Sequence, residues 1–155
     1  MDIIIDNLVE TMALTTSIQP DIDEVKVEAA ARVAQDIDIT RIIGKANVER
    51  CLNPQDSADE ELLELLTPAL CWFTSYRLLK LYGFVFTDGG TTEEDEEASK
   101  KNDKRASEAH AVGETYLQEV LDFLENENPD DLEVAPEKMT PSVRVVGGTE
   151  IRASN

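Results

Sequence analysis

Residues 65–81 read LLTPALCWFTSYRLLKL and form the most apolar stretch of the 155-residue chain. Its large side chains recur at helical spacing and include Leu70, Trp72, Phe73, Tyr76 and Leu79. This spacing predicts a central buried helix, with Trp72 in its core. Thr67 followed by Pro68 is typical of an N-cap and a first helical residue, so we expect a helix to start there. Gly83 is expected to end it.

Upstream of this helix the sequence predicts three shorter helical segments. The first has Asp2 as its N-cap, with a short strand at residues 3–5 as the rival interpretation; its apolar residues are Ile4, Ile5, Leu8, Val9 and Met12. The second begins after Asp21 or Asp23 and presents one stripe toward a partner, made of Ile22, Val25, Ala29, Val33 and Ile37. The third is short, follows Gly44 and ends before Asn53.

A capping box is predicted immediately before the apolar stretch. Ser57 is expected to bond the backbone amide of Glu60, and the Glu60 carboxylate can reach back to the amide of Ser57. This pattern predicts a helix start at Ser57, with the leucines that follow facing the core.

Downstream, a long helix is predicted from about Glu93 to about Glu127. Its second half carries an apolar face and should pack, whereas its first half is almost entirely polar and should face solvent or a partner. Within that first half we expect an acidic cluster to face a channel or a partner. The cluster consists of Glu93, Glu94, Asp95, Glu96 and Glu97.

Together these elements predict an all-α protein. Its expected form is a bundle of about four to five helices with one long C-terminal helix, followed by an extended tail that includes a potential short strand. Residues 1–128 are expected to form the helical domain and residues 129–155 the tail. Residues 134–155 hold two acidic and three basic residues, unlike the strongly acidic remainder.

The formal net charge of −19 narrows the function classes. Sequence-specific readers of nucleic acid need a basic surface, and so do proteins that dock on anionic membranes. The only histidine, His110, has Glu114 four residues later, which is typical of a helix surface pair. Cys51 and Cys71 lack metal-ligand spacing and are expected to be inert core thiols. No catalytic, metal-binding or cofactor-binding motif is evident.

The order of features between residues 29 and 124 resembles the helical head–tail connector, or adaptor ring, proteins of tailed bacteriophages. The residues that match are Asp38-Ile39-Thr40-Arg41-Ile42-Ile43-Gly44 after a helix, and the central Leu65–Arg77 segment. The link Phe84-Val85-Phe86-Thr87-Asp88-Gly89-Gly90 and the end of the long helix, Tyr116-Leu117-Gln118-Glu119-Val120-Leu121, complete the match.

The resemblance implies a structural virion protein without catalytic residues or cofactors. Such proteins form homo-oligomeric rings, commonly twelve-fold, beneath the portal protein at the virion neck, after assembly in the host cytoplasm. They extend the DNA channel and dock tail, stopper or other neck proteins. DNA passes through without sequence-specific binding, and an acidic lumen would repel its phosphates.

The tail suits strand addition to a neighbouring subunit. Its predicted partner-binding residues are Ser142, Val143, Arg144, Val145, Val146, Ile151 and Arg152. The main alternative function is an acidic helical regulator or DNA mimic that binds a basic partner. A carrier protein modified at Ser57 is a third interpretation, although Ala58 stands where carrier proteins usually have leucine.

Overall fold

The computed structural model describes residues 2–16, 23–81 and 92–127, with side chains from residue 100 onward in the last range. Every regular element in these ranges is helical. In chain order they are α1 (Leu8–Thr16), α2 (Glu24–Val33), a π-helix (Ala34–Thr40), α3 (Arg41–Ile43), α4 (Lys45–Leu52), α5 (Ser57–Leu81) and α6 (Thr92–Glu127). The all-α prediction with a long C-terminal helix is confirmed, and the predicted strand in the tail lies outside the described residues.

Helix α5 is the centre of the fold, because α1, α2, the π-helix and α4 all pack against it. Its fully buried side chains include Leu62, Leu66, Leu70, Phe73 and Leu78. The predicted position of Trp72 is wrong: that side chain is half-buried, and Phe73 takes the core position at 1% exposure. A helix turns by about 100° per residue, so neighbouring aromatic residues cannot share one face.

A predicted second start at Thr67 is also wrong, since α5 is continuous from Ser57 to Leu81 with Pro68 inside it. The Thr67 hydroxyl donates to the carbonyl oxygen of Leu63 at 2.7 Å, one turn back, instead of capping a new helix. Pro68 removes one backbone hydrogen bond, but the surrounding leucines remain buried on both sides of it.

The N-terminus of α5 is capped one residue earlier than predicted. The carboxylate of Asp56, not the hydroxyl of Ser57, accepts a hydrogen bond from the backbone amide of Asp59 at 2.9 Å. The carbonyl oxygen of Asp56 accepts from the amide of Glu60 at 3.1 Å. Aspartate caps a helix as well as serine does, so the motif shifts by one residue without loss of the helix start.

The segment before α1 is neither the predicted helix nor the rival strand. Helix α1 begins at Leu8, and Ile4 and Ile5 are buried in a non-helical chain that precedes it. The side chain of Gln35 holds this segment in place, because its Oε1 accepts from the amide of Ile4 at 3.0 Å and its Nε2 donates to the carbonyl oxygen of Asp2 at 2.8 Å.

The chain divides into two compact units, Met1–Val120 and Leu121–Asn155, and α6 runs from the first into the second. In the first unit α6 buries a line of mostly small residues: Asn102, Ala106, Ala109, Gly113, Leu117 and Val120. The prediction for its polar half is therefore too broad, since packing already begins at Asn102. Small side chains make this possible, because they let two helices approach closely without a wide apolar face.

Candidate functional site

Helix α2 has one face in the core and a second apolar face on the surface. Its buried residues are Val27, Ala30 and Ala31, and α2 packs on α5. Val25, in contrast, is 74% exposed and Ala29 is also exposed. The alanine run permits the close approach to α5, so the larger aliphatic side chains are not needed there. The stripe that the sequence assigned to a partner thus lies mainly on the outside.

We call Val25, Ala29 and Ile37 the outer stripe. Ile37 lies on the π-helix, and its side chain is 39% exposed. Val33, between them, is half-buried, and Ile22 lies outside the described residues. Exposed aliphatic side chains are common when single, but a series on one helix face favours contact with another protein surface.

The π-helix directs two polar side chains into the protein. Gln35 is 1% exposed and holds the N-terminal segment, and Asp38 is 9% exposed. Asp38 accepts two hydrogen bonds from Arg77 on α5, at 2.9 Å from Nε and 2.7 Å from Nη2. This bidentate pair raises the pKa of Arg77 through its hydrogen bonds to Asp38. Asp38 thus belongs to a partly buried structural ion pair that joins the π-helix to α5.

A groove of about 680 Å³ lies between the N-terminal segment, α1 and α2. Aliphatic side chains line part of it, namely Ile3, Ile5, Leu8, Val9 and Ala13. Four carboxylates also line it, and we call it the acidic groove: Asp6, Glu10, Glu24 and Glu28. Arg32 is the lining residue of opposite charge. The groove can hold long cationic side chains, whose alkyl parts would contact its aliphatic wall.

An opposite charge is concentrated at one place on α6. Lys100, Lys101, Lys104 and Arg105 are all exposed, and we call them the basic face. They supply four of the 14 lysines and arginines in a chain of net charge −19. Helical positions separated by three or four residues share one side, so these cations form a compact surface.

Beyond the basic face, α6 meets α5 through a ring cluster. His110 contacts Tyr76 and Phe73 edge-on, with ring centroids 4.8 and 5.4 Å apart. Its Nδ1 lies 2.5 Å from Oε2 of Glu114, as the spacing of the two residues predicted. Next to it, a Cβ on Gly113 would come within 3.0 Å of the Phe73 ring. This cluster holds α6 against the core of the first unit.

The other sequence-predicted site residues are distributed as follows. Glu93, Glu94, Asp95, Glu96 and Glu97 belong to α6, although their side chains are not among those described. The seven tail positions from Ser142 to Arg152 lie outside the described residues. Cys51 and Cys71 are buried, and burial raises the pKa of each thiol to about 11. Both thiols are thus poor nucleophiles at neutral pH.

Sequence reasoning missed the acidic groove, because its carboxylates come from three separate segments. The local signals are two i, i+4 pairs, Asp6 with Glu10 and Glu24 with Glu28. Among the described residues, no group of three or more His, Cys, Asp or Glu side chains could hold a metal ion. In the same ranges, every helix is too short or too polar to cross a membrane.

Comparison with known proteins adds a family without an assigned activity. A family of unknown function, DUF6712, matches residues 33–131. The matched residues include the π-helix, α5 and the basic face, whereas the walls of the acidic groove precede residue 33. No curated protein and no solved structure matches the chain.

Proposed function

We propose that this chain, which belongs to the DUF6712 family, is a structural subunit of an adaptor ring between the portal and the tail or neck of a tailed phage. In this role it extends the DNA channel and acts through binding surfaces, without catalysis or a cofactor. The observation that carries the proposal is the outer stripe, because a folded unit that leaves Val25 74% exposed offers this face to another subunit.

The helix order also supports a connector role. A central α5 and a long α6 reproduce the arrangement that the resemblance predicts from the sequence. The net charge of −19 fits a channel wall that DNA slides past without binding. Ring formation in such a protein depends on local surfaces that overcome the repulsion between acidic subunits.

The alternative function is an acidic regulator or DNA mimic. The acidic groove favours it, because four carboxylates around an aliphatic wall could bind a basic protein segment. This alternative predicts a chain that stays monomeric or dimeric and binds a basic protein through the groove. The adaptor proposal predicts a ring.

The test measures the mass of the full-length protein over a range of concentrations by native mass spectrometry, with electron micrographs of the largest species. We expect closed rings that are lost in Val25→Asp/Ile37→Asp. The matched control is Ala46→Asp, at an exposed position of α4, which should assemble normally. Circular dichroism verifies that each variant is folded. A wild-type chain that stays monomeric at every concentration would contradict the ring proposal.

A further inference from the structure

We propose that the acidic groove of one copy binds the basic face of α6 of a second copy. This inference rests on the proposed ring-forming function and adds a charged contact between copies to the apolar outer stripe, which shares helix α2 with Glu24 and Glu28. The acidic groove belongs to the N-terminal segment, α1 and α2, whereas the basic face belongs to α6. Both sets of residues are present in the first unit of every copy.

Charge complementarity is the first argument. Copies with a net charge of −19 repel one another on average, and a local positive surface that meets an acidic one offsets this repulsion. The basic face supplies four exposed cations within six residues, a stretch that also contains one exposed acid, Asp103. The acidic groove supplies four carboxylates with one arginine among them. Bringing the two together places opposite charges in contact and steers the copies into one orientation.

The composition of the groove is the second argument. A volume of about 680 Å³ is large enough for several lysine side chains. Its aliphatic residues, such as Leu8 and Val9, would contact the methylene groups of Lys101 and Lys104. The ammonium groups would then lie beside Glu24 and Glu28. Lysine side chains commonly bury their alkyl part in this way while the charge stays near water.

Symmetry provides the third argument. Because the groove and the basic face are different surfaces, one copy can turn its groove toward one neighbour and its basic face toward another, which is a heterologous contact. Heterologous contacts generate closed rings when the rotation between copies closes, and open filaments otherwise. The described residues that line the groove all come from residues 3–32, so the basic face of the same chain is not its occupant.

The tail is the competing occupant. Its three cations are Lys138, Arg144 and Arg152, spread over 15 residues. The basic face has four cations within six residues, on a helix that already fixes their spacing. The observations therefore favour α6, and the experiment below distinguishes the two.

The experiment uses charge reversal in the full-length chain. Glu24→Lys/Glu28→Lys gives a copy with cations at both surfaces, and Lys101→Glu/Lys104→Glu gives one with acids at both. We expect each variant alone to lose assembly, with an apparent Kd raised by about a hundredfold. Mixed in equal amounts, they should assemble again in strict alternation, which native mass spectrometry detects from the two masses.

Matched controls keep the change in net charge but move it elsewhere. Glu60→Lys/Glu64→Lys repeats the same spacing in the first turns of α5, at exposed positions. Arg41→Glu/Lys45→Glu makes the same change in net charge for the cations, also at exposed positions, with a spacing of four residues instead of three. Both should assemble like the wild type. Circular dichroism again verifies folding.

Three results would overturn the inference. The first is normal assembly of either surface variant alone, which contradicts the contact between the groove and the basic face. If the wild type forms rings, the ring proposal itself still stands. Failure of the mixture to assemble would show that the two surfaces do not meet. Finally, if Arg144→Glu/Arg152→Glu restores assembly with the Glu24→Lys/Glu28→Lys variant, the tail is the occupant.

Discussion

The two long helices of this protein are stabilised in different ways. Helix α5, with 25 residues, is packed by α1, α2, the π-helix and α4, contacts α6 through the ring cluster, and has only Arg77 and Lys80 as charged residues in its second half. Helix α6, with 36 residues, buries a narrow line of mostly small residues and is otherwise polar. The comparison shows that a central helix is specified by bulk apolar content, whereas an outer helix needs only a narrow stripe and keeps its remaining surface for partners.

The largest effect is expected in the core of α5. Phe73→Ala removes a side chain that is 1% exposed and should lower the free energy of unfolding by about 3–5 kcal/mol. Trp72→Ala, at the half-buried position beside it, should cost about 1–2 kcal/mol. Urea unfolding followed by circular dichroism measures both. An equal decrease in the free energy of unfolding for the two variants would mean that Trp72 belongs to the core.

A second prediction concerns the narrow stripe of α6. Gly113→Val places methyl groups against the Phe73 ring, which a single Cβ would already approach to 3.0 Å. We expect the free energy of unfolding to fall by about 1–3 kcal/mol because the valine overpacks the contact. Ala111→Val, at an exposed position two residues earlier, should cost only about 0.5 kcal/mol through helix propensity.

The double variant Phe73→Ala/Gly113→Val sharpens this second prediction. Removing the Phe73 ring leaves space for the valine. The double variant should therefore lose less free energy of unfolding than the sum of the two single variants. Strict additivity in urea unfolding would show that Gly113 does not depend on Phe73, and that another contact holds α6 on α5.

A third prediction tests how α5 is joined to the π-helix. Arg77→Lys keeps the positive charge but replaces the two-pronged contact with Asp38 by a single ammonium group. We expect a loss of about 1–2 kcal/mol in the free energy of unfolding. Arg41→Lys, at an exposed position, is the control and should unfold at the wild-type urea concentration. No difference between the two variants would contradict the structural role of the pair.

The smallest effect is expected at the start of α5 and depends on pH. Hydrogen bonds from the Gln55 amide and from Arg50 lower the pKa of Asp59 below its ordinary value of 3.8. The ionised form therefore stabilises the fold above that pH, and this stabilisation is lost as the pH falls through the lowered pKa. Asp59→Asn should thus be less stable than the wild type at pH 7.

Thermal unfolding at a series of pH values measures this effect. The difference in Tm between the wild type and Asp59→Asn should become smaller as the pH falls below 3.8. Glu61→Gln, an exposed control on the same helix, should show no comparable change. A gap that is constant over the whole range would mean that the charge of Asp59 contributes nothing.

Features governed by neighbours in sequence were predicted well. The sequence indicated the long C-terminal helix to within about one residue at its start, and it indicated the short helix that ends before Asn53. The capping motif of α5 was displaced by one residue, because Asp56 and Ser57 are both good caps and local rules do not rank them here. Locally, Thr67 and Pro68 predict a helix boundary. Pro68 nevertheless lies inside α5, because the packing that retains it there comes from distant segments.

The candidate site was only partly predictable. The apolar series Val25, Ala29 and Ile37 was recognised, but its periodicity alone does not say whether it faces the core or another molecule. The acidic groove was not predicted, because Asp6 and Glu28 are far apart in sequence and meet only through the packing of α1 beside α2. The basic face is visible in the sequence as four cations in six residues, yet its exposure depends on which side of α6 packs.

By itself the sequence determined that the chain is helical, where its most apolar helix lies, and how its charge is distributed. Those properties follow from periodicity, capping and composition, which act over a few residues. The tertiary structure alone decided that Ala30 and Ala31, rather than Val25, face α5, and that Asp38 pairs with Arg77, 39 residues away. Such choices depend on side-chain volume and charge across distant segments, so they are made only when the helices pack together.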